Sequence, residues 1–352
     1  MPVRPNIEQM TGYVPGEQPR GEKVIKLNTN ENPYPCSPKV KAAIGRVVQQ
    51  GLQKYPDPLA TAFRIRAGEV LGVAPEWILC GNGSDDLLTI ITRTFVGEGD
   101  TVRYAYPGYV LYRTLAEVQG AECEEIQFRR DWTLGDDFTR EGERLRLVYL
   151  ANPNSPSGTT LAPQQVAKIA AALPCPLVVD EAYVDFAETN CLGLVVDHEN
   201  VIVTRTLSKS YALAGLRFGF AIAQPQVIEQ FIKVKDSYNC DALAIAGATA
   251  AIDDQAWLAE SRRTIVKTRE RLAEALRELE FDVVPSQANF VWATHASRQV
   301  LPIYEALKRE GVLVRYLNYP GWGDGLRITV GSDAQVDALL SLLRNIMNAP
   351  FV

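Results

Sequence analysis

Six short runs govern what this chain can fold into: Ile78–Cys80, Thr101–Tyr104, Leu145–Leu150, Leu177–Asp180, Val201–Thr204 and Phe218–Ala223. Several are apolar at consecutive positions rather than alternate ones. A strand patterned in this way must be covered on both faces. Stretches with helical spacing separate the runs from about residue 40 to 245, so βαβ units and a mostly parallel sheet are predicted.

The texture then changes. From Asp253 to Glu280 the chain is charged and amphipathic, with Trp257, Leu258, Ile265, Leu272, Leu276 and Leu279 along one helical face. Strand-like segments Asn289–Trp292, Val312–Arg315 and Leu326–Val330 follow, and a last helix opens at Ser332-Asp333. The predicted organisation is an extended N-terminal arm over 1–35, a large α/β domain over 36–250 and a small α+β domain over 251–352.

Bulk properties remove several function classes. The 352 residues carry 36 Lys and Arg against 42 Asp and Glu, a net charge of −6 with no long run of one sign. Neither nucleic acid nor an anionic membrane is an expected partner. No apolar signal segment opens the chain, and no stretch approaches the ~18 apolar residues of a membrane span. Six dispersed cysteines without a C-x-x-C pair argue against a disulfide framework or zinc site, and for a cytoplasmic protein. The two histidines, His198 and His295, lie in no motif, so neither a metal centre nor a Ser-His-Asp triad is expected.

Chemistry concentrates around Lys209, in TRTLSKSYALAGLRFG (204–219). A lysine in a polar loop is ordinarily a surface residue. Here hydroxyls at Thr206 and Ser208 and a guanidinium at Arg217 surround it in sequence, and together they make a phosphate clamp. Upstream, VVDEAY (178–183) ends an apolar strand with Asp180 and sets Tyr183 three residues on. Alone, that aspartate reads equally well as a helix cap. Beside a nucleophilic lysine it reads as the acid that keeps a pyridine nitrogen protonated, and the set describes a pyridoxal 5′-phosphate (PLP) site.

Two loops extend the pattern. Gly81-Asn82-Gly83-Ser84-Asp85-Asp86 follows a strand and opens a helix, as a phosphate-binding turn does. It is not a dinucleotide fingerprint, because Asp86 stands where the third glycine belongs. Asn152-Pro153-Asn154-Ser155-Pro156-Ser157-Gly158 follows another strand, and its X-Pro bonds are candidates for the cis form.

Four further segments complete the set: Tyr13-Val14-Pro15-Gly16, KLNTNENPYP (26–35), KYPDP (54–58) and GLRITVGS (325–332). With them the chain resembles the fold-type I PLP aminotransferases, and among these the histidinol-phosphate aminotransferase family. The resemblance covers the chain from end to end. It implies a mostly parallel seven-stranded sheet in the large domain, a smaller C-terminal domain, and a homodimer with shared active sites.

It also implies residue roles. Lys209 would hold the cofactor as a Schiff base and move the proton between Cα and C4′. Asp180 would face the ring nitrogen, Tyr183 the ring oxygen O3′, and Tyr109 would stack on the ring. Gly83, Ser84, Asp85, Thr206, Ser208 and Arg217 would surround the phosphate, joined by Tyr55 from the other protomer. Arg327 would anchor the anionic end of the substrate, with Arg315, Tyr13 and Asn30 nearby. Many relatives carry Asn directly before the second proline of the 152–158 loop. Here that residue is Ser155, and Asn154 is taken as the side chain facing O3′.

The implied reaction is a ping-pong exchange between L-histidinol phosphate and 2-oxoglutarate, giving imidazole-acetol phosphate and L-glutamate. An aromatic amino-acid aminotransferase and a threonine-phosphate decarboxylase share these motifs. A PLP-binding regulator would need a basic DNA-binding segment, for which no stretch of the chain is left over.

Overall fold

The structure, a computed structural model, describes residues 1–12, 16–18 and 24–348. Thirteen strands occur among them: β1 (Ile25–Lys26), β2 (Ile78–Gly81), β3 (Thr101–Tyr106), β4 (Glu122–Gln127), β5 (Leu145–Ala151), β6 (Leu177–Asp180), β7 (Val201–Thr206), β8 (Gly219–Ile222), β9 (Phe281–Val283), β10 (Phe290–His295), β11 (Val312–Leu313), β12 (Arg315–Tyr319) and β13 (Gly323–Thr329).

Seven of them form one sheet in the order β2-β8-β7-β6-β5-β3-β4. All neighbours from β7 to β4 are parallel, and β8 runs against both β7 and β2. The expected seven-stranded, mostly parallel sheet is therefore present. β6 and β8 are buried at every position, as their unbroken apolar runs require. β4 is the strand the pattern did not yield. Its sequence ECEEIQ is mostly polar because it closes the sheet at an edge, where only Ile126 is fully buried.

A second core belongs to the four-stranded antiparallel sheet β12-β13-β10-β9, backed by the 24-residue helix Gln255–Glu278 and the final helix Asp333–Asn348. The long helix buries Ile265, Leu272 and Leu276 from its predicted apolar face. The expected domain boundary at 250/251 falls inside helix Ala242–Asp253. The N-terminal segment is not uniformly extended. Helix Pro5–Gln9 rests against helix Leu111–Gln119, with Asn6 Nδ2 donating to the Glu117 carbonyl at 2.8 Å. Further on, β1 pairs in parallel with β11, and Leu27 sits in the second core.

This topology gathers the motifs. Parallel strands put their carboxyl ends on one edge, where ligands of open α/β sheets bind. Asp180 ends β6 and Thr206 ends β7 at that edge. Because β8 is reversed, it begins there with Gly219, in register with both Thr206 and Gly81. Arg217 and the Gly83 turn are thereby brought to the Lys209 loop.

Candidate active site

A cavity of about 340 Å³ opens at this edge, between the large sheet and β12–β13. Lys209, Asp180, Tyr183, Tyr109, Ser84, Asp85, Thr206, Ser208, Arg217, Asn30, Arg315 and Arg327 all line it. Residues from both ends of the chain thus face one space.

Asp180 forms the floor. It is 4% exposed, and its carboxylate accepts from Tyr112 Oη at 2.8 Å and from Thr204 Oγ1 at 3.1 Å. Burial raises its pKa to about 6 against these hydroxyl donors. Its side-chain hydrogen-bond partners are neutral and the charge of Asp85 adds to the rise, so a cationic partner presented from the cavity would relieve that desolvation.

Lys209 stands across from it, with Nζ 3.2 Å from the Thr29 carbonyl and 5.9 Å from the centre of the Tyr183 ring. Burial, then the charge of Arg327, lowers its pKa to about 8. An amine with that value is partly unprotonated near neutral pH, the state a nucleophile needs. The Tyr183 phenol accepts from Asn30 Nδ2 at 2.9 Å. Burial raises its pKa, opposed by Arg327 and by that hydrogen bond, so the phenol keeps its proton.

The phosphate cradle is built from backbone economy. Gly83 caps helix Ser84–Phe95 with φ of 87°, a left-handed value that favours glycine. A Cβ there would lie 2.6 Å from the Arg217 guanidinium. Only glycine lets Arg217 close over the helix N-terminus, where backbone N–H groups and the helix dipole attract an anion. Arg217 is itself left-handed at φ 52°, donates to Ser208 Oγ at 3.3 Å, and lies 3.9 Å from Asp85 Oδ2. Thr206 Oγ1 donates to Ser208 Oγ at 2.9 Å. Tyr109 donates to Asp85 Oδ1 at 3.2 Å.

The opposite wall carries the guanidinium of Arg327, on β13. Its Nη1 donates to Ser155 Oγ at 3.0 Å and its Nη2 to the Asn28 carbonyl at 3.2 Å, while its buried Nε has no partner among the described residues. Arg315 is its cross-strand neighbour on β12.

One expectation meets a different geometry. Asn154 does not line the cavity. Its Nδ2 donates to the Pro107 carbonyl at 3.2 Å and to Ser157 Oγ at 3.0 Å, cross-linking the loops after β3 and β5, and Ser155 takes the cavity wall instead. In both loops the peptides before Pro107, Pro153 and Pro156 are cis. Tyr55 lies outside the cavity, 80% exposed and stacked on Tyr238 at 4.5 Å. Tyr13 lies outside the described residues.

Sequence reasoning missed Tyr112 and Thr204, which hold Asp180. Thr204 could have been found, since it sits in register with Asp180 on the neighbouring strand. Tyr112 carries no motif signal.

The residues present fit PLP. A buried carboxylate without a cation, a low-pKa lysine and a glycine-permitted anion cradle in one cavity match its ring nitrogen, aldehyde and phosphate.

Comparison with known proteins agrees. The family model described as "Aminotransferase class I and II" matches residues 22–343. Histidinol-phosphate aminotransferase of Rhodopirellula baltica is 53% identical over 350 residues, covering 99% of this chain and 97% of the relative. Histidinol-phosphate aminotransferase 1 of a Nostoc species is 46% identical over 349 residues, with 98% of each covered. The crystal structure of histidinol-phosphate aminotransferase from Sinorhizobium meliloti in complex with pyridoxal-5′-phosphate superposes with a TM-score of 0.87 at 28% identity, over 98% of both chains. The cavity, the fold-type I sheet and these full-length similarities make one statement: the chain belongs to the class I and II aminotransferases.

Proposed function

We propose that this protein is the aminotransferase that exchanges the amino group between L-histidinol phosphate and 2-oxoglutarate, yielding imidazole-acetol phosphate and L-glutamate in histidine biosynthesis. The cofactor is pyridoxal 5′-phosphate. The observation that carries the substrate assignment is the full-length identity to histidinol-phosphate aminotransferases, together with a second anion site, Arg327, across the cavity from the phosphate cradle.

When bound, the cofactor supplies an electron sink for the carbon that loses its proton. Asp180 holds the proton of the ring nitrogen, and Tyr112 and Thr204 hold Asp180. Lys209 Nζ would tether the cofactor and would carry the proton at the substrate Cα. Its lowered pKa leaves it able to accept that proton near neutrality. Tyr183 offers its phenol proton to the cofactor's ring oxygen. Gly83, Ser84, Asp85, Thr206, Ser208 and Arg217 would hold the cofactor phosphate, and Tyr109 would cover the ring.

Arg327 binds the anionic end of either substrate, with Arg315 beside it on the neighbouring strand. One planar fork pairs with carboxylate or phosphate alike, which a two-substrate cycle needs. The working form is a cytoplasmic homodimer, in which Tyr55 of each protomer reaches the cofactor phosphate held by the other. The exposed Tyr55–Tyr238 pair is the surface that supports this.

The test is a half-reaction. Holoenzyme mixed with L-histidinol phosphate should lose the cofactor's visible absorbance faster than with phenylalanine; the reverse order would transfer the assignment to an aromatic amino-acid aminotransferase. Carbon dioxide release independent of any keto acid would point to a decarboxylase. Lys209→Ala should lower turnover by at least about 10³-fold.

A further inference from the structure

Asn30 is 1% exposed and sits in the left-handed region at φ 56°, which asparagine tolerates better than most residues. Its backbone N–H donates to Thr329 Oγ1 at 2.9 Å, and that hydroxyl lies 3.1 Å from Asn30 Oδ1. Its carbonyl accepts from Asn289 Nδ2 at 3.0 Å. Its Nδ2 donates to the Tyr183 phenol at 2.9 Å. The backbone N–H and C=O and both polar atoms of the side chain are thus engaged within the protein, and Asn289 is wholly buried.

The direction of these bonds matters. Thr329 Oγ1 already accepts the Asn30 N–H, so its own hydrogen is available for Asn30 Oδ1. That turns the NH2 end of the amide toward Tyr183. An NH2 group can only donate, so the phenol must accept there and its single proton is left to point elsewhere. The flipped amide would present Oδ1 to the phenol and draw that proton away from the cavity.

We infer that Asn30 is a positioning residue that acts through Tyr183: held by Thr329, it aims the phenol proton into the cavity, and it is not itself a ligand of the substrate. The inference rests on the proposed facing of Tyr183 and the cofactor's ring oxygen. Asn30 joins the two sheets in doing so, since Thr329 ends β13 and Tyr183 follows β6.

The test uses holoenzyme and the pH midpoint of its visible absorbance. A donor at the ring oxygen lowers that oxygen's basicity, so losing the donor moves the midpoint up. Asn30→Asp, which accepts where asparagine donates, should raise it by about one unit, and Asn30→Ala by about half a unit. In a Tyr183→Phe background Asn30→Ala should add no further shift. Thr329→Val leaves Asn30 in place but releases its amide, and should raise the midpoint by a few tenths of a unit.

An unchanged midpoint in all three variants overturns the inference, as does an equal Asn30→Ala shift with and without the Tyr183 hydroxyl. A purely structural role would lower thermal stability and leave the midpoint alone. Should the Asn30 variants fail to fold, Thr329→Val decides alone. If wild-type protein takes up no cofactor colour, the cofactor assignment fails first and this inference falls with it.

Discussion

The Tyr112 phenol donates to Asp180 Oδ2 at 2.8 Å, and both groups are almost fully buried. Tyr112 in turn stacks on Tyr149 at 4.5 Å, with the rings within 3° of parallel. Burial and the adjacent Asp180 push the Tyr112 pKa well up, so this phenol stays a donor throughout the accessible pH range. A hydrogen bond to a buried charge is among the stronger ones in a protein. It keeps Asp180 ionised in a place that would otherwise neutralise it.

Tyr112→Phe should therefore weaken PLP binding about 10-fold, the lower end expected for a bond to a charged acceptor. Equilibrium titration of apoprotein with PLP measures this. An unchanged dissociation constant would leave Tyr112 a packing residue only.

Asp180 should make the apoprotein's stability depend on pH with an unusual sign. Its folded pKa of about 6 lies above the ordinary aspartate value of 3.8. The folded state binds the extra proton, so this contribution is fully present below about pH 4 and lost as pH rises through 6. At pH 7 the ionised, buried carboxylate is a net cost. Asp180→Asn should raise apoprotein stability at pH 7 by roughly 1–3 kcal/mol, with the gain shrinking toward pH 4, while abolishing tight cofactor binding. Urea unfolding at the two pH values checks it; equal differences at both would contradict the assigned shift.

Arg327 is a fork with two tines already aligned by Ser155 and the Asn28 carbonyl. Arg327→Lys keeps the charge and loses the planar pairing, so KM for L-histidinol phosphate should rise roughly 10- to 100-fold. Ser155→Ala should raise it only about 3-fold, because it removes one aligning bond. Steady-state kinetics on both variants distinguish charge from geometry.

Behind the site, Arg205 donates to Glu181 Oε2 through Nε at 2.9 Å and Nη2 at 2.7 Å, and Glu181 also accepts from the Cys191 N–H. Removing one partner strands a buried charge. Arg205→Met should cost about 3–5 kcal/mol, whereas Arg205→Met with Glu181→Leu should recover most of that loss. Denaturant unfolding of both variants tests the pair, and a double variant no better than the single would sink the argument.

Much of this is legible in the sequence. Strands buried on both faces announce themselves by unbroken apolar runs, and Asp180, Thr206, Gly83 and Lys209 stand at or just past such runs. Where burial was incomplete the signal faded. β4 is an edge strand with glutamates at 122, 124 and 125, and β12 reads RYLNY with no residue fully buried. Neither carries the periodicity of a covered strand. The 152–158 loop was legible as a site loop, yet not which of its side chains faces inward. That depended on Asn154 finding the Pro107 carbonyl, an acceptor 47 residues away.

The residue types and their local order determined the sheet, the strand ends and the inventory of reacting groups, because each of these follows from spacing along a few residues of backbone. Packing alone decided that Tyr112 would hold Asp180, that Ser155 would align Arg327, and that Asn30 would meet Thr329 across 299 positions of chain. Such pairings arise only when burial forces distant polar groups to satisfy one another, and no local pattern encodes them.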